Sequence, residues 1–203
     1  MRSIFRPAND ASLTPVQMIW FPGAYHSAQS FVDQGFAEAV AKRGTRLDLL
    51  FVDLEMTHLQ DRDPLERLRS EIILPARTSG VSIWLAGISL GGLVALDYAS
   101  AHPGEIDGLC LLAPYLGNRM LIDEIAAGRL AECDAEHRIW RYIKSQIDVT
   151  PVFLGYGRQD RFSRSHDLMA ATLPANCVDV VDGGHDWRTW RKLWERFLDL
   201  RFV

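Results

Sequence analysis

The chain has 203 residues, 48% hydrophobic and 24% charged, with a formal net charge of −4. That is enough apolar chain for one domain with a sizeable core, and the acidic balance offers no basic footprint for nucleic acid. No run reaches the ~18 apolar residues of a membrane span, and the N-terminus lacks a leader's apolar stretch, so a cytoplasmic location is expected. The three cysteines, Cys110, Cys133 and Cys177, form no C-x-x-C pattern, which points away from a metal site or a disulfide framework.

Residues 1–15 are polar, hold Pro7 and Pro15, and read as an irregular lead-in. Residues 16–21 form an apolar strand stopped by Pro22-Gly23, and the loop 24–27 feeds a helix that Gly44 closes. Residues 47–54 are a second strand, followed by a loop with Asp53, Glu55, Thr57 and His58. Asp63-Pro64-Leu65-Glu66 is a helix start, with Asp63 as N-cap and Pro64 at the first helical position. Strands also read at 81–86, 108–113, 150–155 and 177–181. Helices lie between them, the segment 117–146 as two pieces. The last helix carries Trp187, Trp190, Leu193, Trp194 and Phe197 on one stripe. This alternation predicts an α/β fold, a mostly parallel sheet with helices on both faces, whose ligand site lies beyond the carboxyl ends of the strands.

Gly87-Ile88-Ser89-Leu90-Gly91 stands between a predicted strand and a predicted helix. A turn this tight demands small residues two positions either side of the serine, and it lifts the hydroxyl clear of the sheet edge over a helix N-terminus. Serine needs a base to take its proton. Of the six histidines, His185 follows the last strand in a Gly183-Gly184 loop. His26 sits beside the first loop, placed to touch substrate. His58, His102, His137 and His166 fall in loops or helices where surface roles are expected. The base in turn needs a carboxylate. Asp160 lies past the strand 150–155 on the same edge, whereas Asp182 and Asp186 are too close in sequence to aim at the ring. Ser89, Asp160 and His185 are thus the candidate catalytic residues. The oxyanion donors are the amides of Leu90 and Ala24, with Tyr25 in reserve. Tyr25, Tyr115 and Leu116 are the candidate substrate contacts, and no metal or other cofactor is expected.

These pieces resemble the α/β-hydrolase superfamily over almost the whole chain: Phe-Pro-Gly-Ala at the first loop, Gly-Ile-Ser-Leu-Gly-Gly at the turn, Gly-Tyr-Gly-Arg-Gln-Asp at the acid and Gly-Gly-His-Asp-Trp at the histidine. The segment from His185 to Trp190 is similar to esterases of the enterochelin-esterase and mycolyltransferase kind. Pro22 stands where many relatives carry histidine. The chain begins at what resembles the family's third strand, so the antiparallel strands before it are expected to be reduced or absent. The resemblance implies a single α/β-hydrolase domain over 1–203 with a small helical lid at 117–146. It also implies a serine carboxylesterase or thioesterase acting on a small-molecule ester or thioester. Acyl transfer with the same residues and a non-catalytic binding protein on this fold are the alternatives.

Overall fold

Apolar runs without polar alternation must be buried on both faces, and they form the middle of one sheet. In the computed structural model, which describes residues 2–8, 16–53, 64–129, 135–145 and 149–202, the strands lie in the order β1-β3-β2-β4-β5-β6-β7. These are β1 (Ser3–Arg6), β2 (Val16–Phe21), β3 (Leu47–Val52), β4 (Ser82–Ile88), β5 (Gly108–Leu112), β6 (Val152–Gly157) and β7 (Val178–Val181). β1 pairs antiparallel with β3, and the other pairings are parallel. The helices are α1 (Ala28–Asp33), α2 (Phe36–Arg43), α3 (Pro64–Leu68), α4 (Leu74–Thr78), α5 (Leu90–Ala101), α6 (Arg119–Ala126), α7 (Ala135–Ser145), α8 (Ser163–Ala170) and α9 (Trp187–Arg201).

The parallel sheet with helices on both faces matches the sequence reading. The lead-in does not: residues 3–6 form an edge strand, held to β3 from Ser3 opposite Val52 to Arg6 opposite Leu49. No periodicity marks it, because an edge strand is fixed by the ladder of its partner. The helix expected from residue 64 onward is also broken, with a π-helical turn over Arg69–Ile73 between α3 and α4. Pro75 in the first turn of α4 has no N–H to give to a residue four back, a sufficient local cause. The proposed cap Asp63 and the loop residues Glu55, Thr57 and His58 lie outside the described residues, as do Cys133 and residue 146.

A period of two divides each strand between two layers. In β6, Phe153 packs on Phe197 of α9 with ring centroids 5.0 Å apart, while Tyr156 turns to the opposite layer, 5.0 Å from His166 of α8. The α9 layer also holds α1 and α2, joined by a cluster centred on Trp20. Its ring meets Phe31 at 5.3 Å, Phe36 at 5.1 Å and Trp194 at 5.0 Å, and Trp194 Nε1 donates to Phe36 O at 3.0 Å. This cluster seats α9, whose first turn follows His185 directly.

The two helices of the expected lid turn their apolar faces inward. Leu121, Ile122 and Ile125 of α6 and Ile139, Trp140 and Ile143 of α7 are buried, and Trp140 Nε1 donates to Leu116 O at 2.8 Å. Met120 points outward, 75% exposed. Trp194→Ala is expected to cost about 3–5 kcal/mol, the range for removing a buried aromatic. Met120→Ala should stay within about 0.5 kcal/mol of the parent. Urea unfolding of the two variants checks both.

Candidate active site

β2 connects leftward to β3, while β4 connects rightward to β5, so the strand order reverses between β2 and β4. The crevice this opens at the carboxyl ends is where such sheets hold ligands. Ser89 stands there, between β4 and α5, with φ 51° and ψ −113°. Its backbone is held from both sides: its N–H donates to Leu112 O at 3.1 Å, and Tyr115 N–H donates to its carbonyl at 2.8 Å. The glycines are demanded by close backbone approach. A methyl at Gly87 would lie 2.2 Å from the Gly91 carbonyl, and one at Gly91 would lie 2.0 Å from Phe21 O. Tyr25 (φ 65°) and Ala113 (φ 47°) share the positive-φ region with Ser89, so among the described residues the strained non-glycine ones, each costing about 1–3 kcal/mol, cluster at this edge.

His185 Nδ1 lies 2.7 Å from Asp160 Oδ2. An ionised carboxylate only accepts, so Nδ1 carries the proton and Nε2 is left as the basic nitrogen. Asp160 is 3% exposed, and its other oxygen accepts from Phe162 N–H at 2.8 Å. Burial would raise its pKa, but the hydrogen bonds from His185 and Phe162 and the nearby histidine charges outweigh burial and hold it below the usual value. The His185 ring is clamped edge-on by Trp190 at 5.0 Å and Phe162 at 5.1 Å. The other two acids do different work. Asp186 caps α9, accepting from Thr189 N–H at 2.9 Å. Asp182 is solvent-facing and meets Arg158 at 3.4 Å.

The acid and histidine loops are laced together. Arg158 N–H donates to Val181 O at 2.8 Å and Gln159 N–H to Gly183 O at 3.0 Å, while Gly183 N–H donates to the Gln159 side chain at 2.7 Å. A methyl at Gly157 would stand 2.2 Å from Gly183 O. Gln159 was invisible as a site residue in the sequence, because only the pairing of β6 with β7 brings it to Gly183.

The first loop lies against the serine: a methyl at Gly23 would be 3.5 Å from both Ser89 Cβ and His26 Cδ2. Among the described residues, neither the Ala24 nor the Leu90 amide is taken up by a hydrogen bond. Tyr25 projects fully into solvent. Tyr115 lines an open cavity of about 580 Å³ beside Phe162. Leu116 is 1% exposed within the core. His26 packs on Trp187 at 5.0 Å, and burial, then the proximity of His185, lowers its pKa.

His166 and His137, expected at the surface, are buried. His166 Nε2 donates to Pro114 O at 2.9 Å, and burial above all lowers its pKa. α8 turns this ring inward against β6, a packing that helical spacing alone does not reveal.

No protein-family model matches the chain, and no curated protein does either. Solved structures do. The fluorophosphonate-binding serine hydrolase F of Staphylococcus aureus superposes with a TM-score of 0.65 at 14% identity, over 94% of this chain and 85% of that one. A ferulic acid esterase gives 0.65 at 15% identity, over 97% and 95%. An alpha-beta serine hydrolase homologue from Coxiella burnetii gives 0.64 at 18% identity, over 97% and 90%. The chain has the α/β-hydrolase fold. Among the described residues, one antiparallel strand, β1, precedes β2, where the sequence led to the expectation of reduced or absent strands.

Asp186→Ala is expected to cost about 1 kcal/mol through loss of the α9 cap, and Asp182→Asn close to nothing. The depressed Asp160 pKa stabilises the fold above the unfolded-state value near ~4, and that contribution is lost as pH falls through the lower folded value. The stability gap between the parent and Asp160→Asn should therefore narrow on acidification below pH ~4, as measured by denaturation at stepped pH.

Proposed function

We propose that the chain is a serine hydrolase that cleaves a carboxylic ester or thioester through an acyl-enzyme on Ser89. The observation that carries this reading is the 2.7 Å bond between His185 and the buried Asp160, on the same sheet edge as the strained Ser89. In this reading Ser89 Oγ attacks the carbonyl carbon as His185 Nε2 takes its proton. Asp160 keeps the ring in the correct tautomer and stabilises the imidazolium. The carbonyl oxygen becomes an oxyanion held by the Leu90 and Ala24 amides, and the position of Leu90 at the α5 N-terminus adds the helix dipole. The imidazolium then protonates the departing alcohol or thiol, and water, deprotonated by the same ring, releases the acid.

The neighbours named as a serine hydrolase and an esterase support the reaction class. The clamp of Phe162 and Trp190 supports the role of His185, since a base fixed in orientation loses no rotational freedom at the reacting moment. The open cavity favours a small or flexible acyl group over a bulky one.

Ser89→Ala should abolish both labelling by a fluorophosphonate and hydrolysis of p-nitrophenyl esters, with little change in melting temperature, since it removes one hydroxyl that no core packing uses and leaves the backbone as it is. Labelling that persists in this variant would sink the assignment. Asp160→Asn should lower kcat by about 10⁴-fold through the wrong histidine tautomer, with Asp182→Asn near the parent rate. Equal losses in the two would show that the acid lies elsewhere.

A further inference from the structure

The cavity of about 580 Å³ lined by Phe162, whose ring neighbours His185, has a composition that the hydrolase chemistry does not require. Its wall is apolar at Tyr115, Ile122 and Phe162, and its rim carries three guanidinium groups, Arg119, Arg161 and Arg164. The chain as a whole is acidic, with a net charge of −4, so this positive cluster is local and not the drift of a basic surface. Arg164 is paired with Asp123. Glu136 also borders the cavity, one of its oxygens 3.3 Å from where a methyl at Gly117 would sit. Arg119 and Arg161 have no carboxylate partner among the described residues.

The cluster is tied to the catalytic edge by stacking. The Arg161 guanidinium carbon lies 4.8 Å over the Phe162 ring, and that ring is itself 5.1 Å from His185. A guanidinium placed over an aromatic face still has N–H groups to offer a planar anion. Both α6, entered through Asn118-Arg119, and α8, entered through Phe162-Ser163, begin at this cavity. Their N-terminal dipoles add to the same sign of potential.

We propose that this cavity is an anion subsite, and that the triad's substrate is an ester or thioester carrying a carboxylate or phosphate away from the scissile carbonyl. The proposal rests on the serine-hydrolase reading above and narrows its substrate class. An anion seated here leaves the apolar wall to cover the chain that links it to the carbonyl. Carboxylate on the acyl side and phosphate on the leaving group are the two sources of the same chemistry.

The test compares substrates matched in length. One arm sets mono-p-nitrophenyl glutarate against p-nitrophenyl valerate, and the other sets butyryl-CoA against the butyryl thioester of N-acetylcysteamine. The expected result is a charged-to-neutral ratio of kcat/KM above about ten in at least one arm, as for hydrogen bonds to a charged group. A preference in the glutarate arm assigns the carboxylate, and one confined to the CoA arm assigns the phosphate. The double variant Arg119→Gln/Arg161→Gln should lower that ratio about tenfold, added salt should lower it in the parent, and Arg158→Gln, outside the cavity, should leave it in place. A ratio near one in both arms, or a ratio indifferent to the double variant, overturns the subsite while hydrolysis of the neutral esters leaves the hydrolase reading standing. Should no ester be turned over, the hydrolase reading fails. Calorimetric titration of glutarate and of pyrophosphate then decides the subsite: binding weakened in the double variant supports it, and absent or unchanged binding overturns it.

Discussion

The structure depends on one close approach of backbone to backbone, the meeting of the α5 N-terminus with the end of β2. Gly91 sits against the Phe21 carbonyl so tightly that no side chain fits, and Gly87 is pressed on Gly91 in the same way. This contact sets the entry angle of α5, holds Ser89 in a backbone region that residues with a Cβ avoid, and brings the loop after β2 alongside the serine. The strain at Ser89 is local, but what maintains it is not. Leu112 and Tyr115, from the next strand and its loop, hold the Ser89 backbone by hydrogen bonds.

A second constraint acts on the other half of the edge. The β6 and β7 loops share hydrogen bonds through Arg158, Gln159 and Gly183, so the loops that carry Asp160 and His185 are tied to each other. Asp186 caps α9 immediately after the histidine, and α9 is seated in turn by the aromatic packing of Trp194 on Trp20 and Phe36. The position of the histidine is therefore referred back, through α9, to the same β2 strand whose end supports the serine. Packing in the core, not the loop alone, carries the alignment.

Charge is distributed with the same economy of elements. The segment around Phe162 caps the carboxylate through its N–H, clamps the histidine with its ring and carries the Arg161 guanidinium on the ring's face. Asp160, His185 and the arginine rim are thus joined through one short stretch of chain after β6. On the opposite side burial, then the proximity of His185, lowers the pKa of His26.

The chain's own residues determined what is local. Apolar runs between Pro and Gly breaks set β2 and the other parallel strands, since such runs can only be buried on both faces. The spacing Gly87-x-Ser89-x-Gly91 set the serine turn, and the rule that residues this close in sequence cannot easily aim at the ring separated Asp160 from Asp182 and Asp186. Tertiary structure alone decided the rest, because those positions depend on partners far away in sequence. β1 is a strand only because β3 offers it a ladder. His166 is buried only because α8 turns it under Pro114, and Leu116 is core because Trp140 closes over its carbonyl. Arg119 and Arg161, about forty residues apart in the sequence, share one cavity only because the ends of β5 and β6 lie side by side. Periodicity and motif spacing carry information over a few turns of chain, whereas these juxtapositions are set by how the strands are ordered in the sheet.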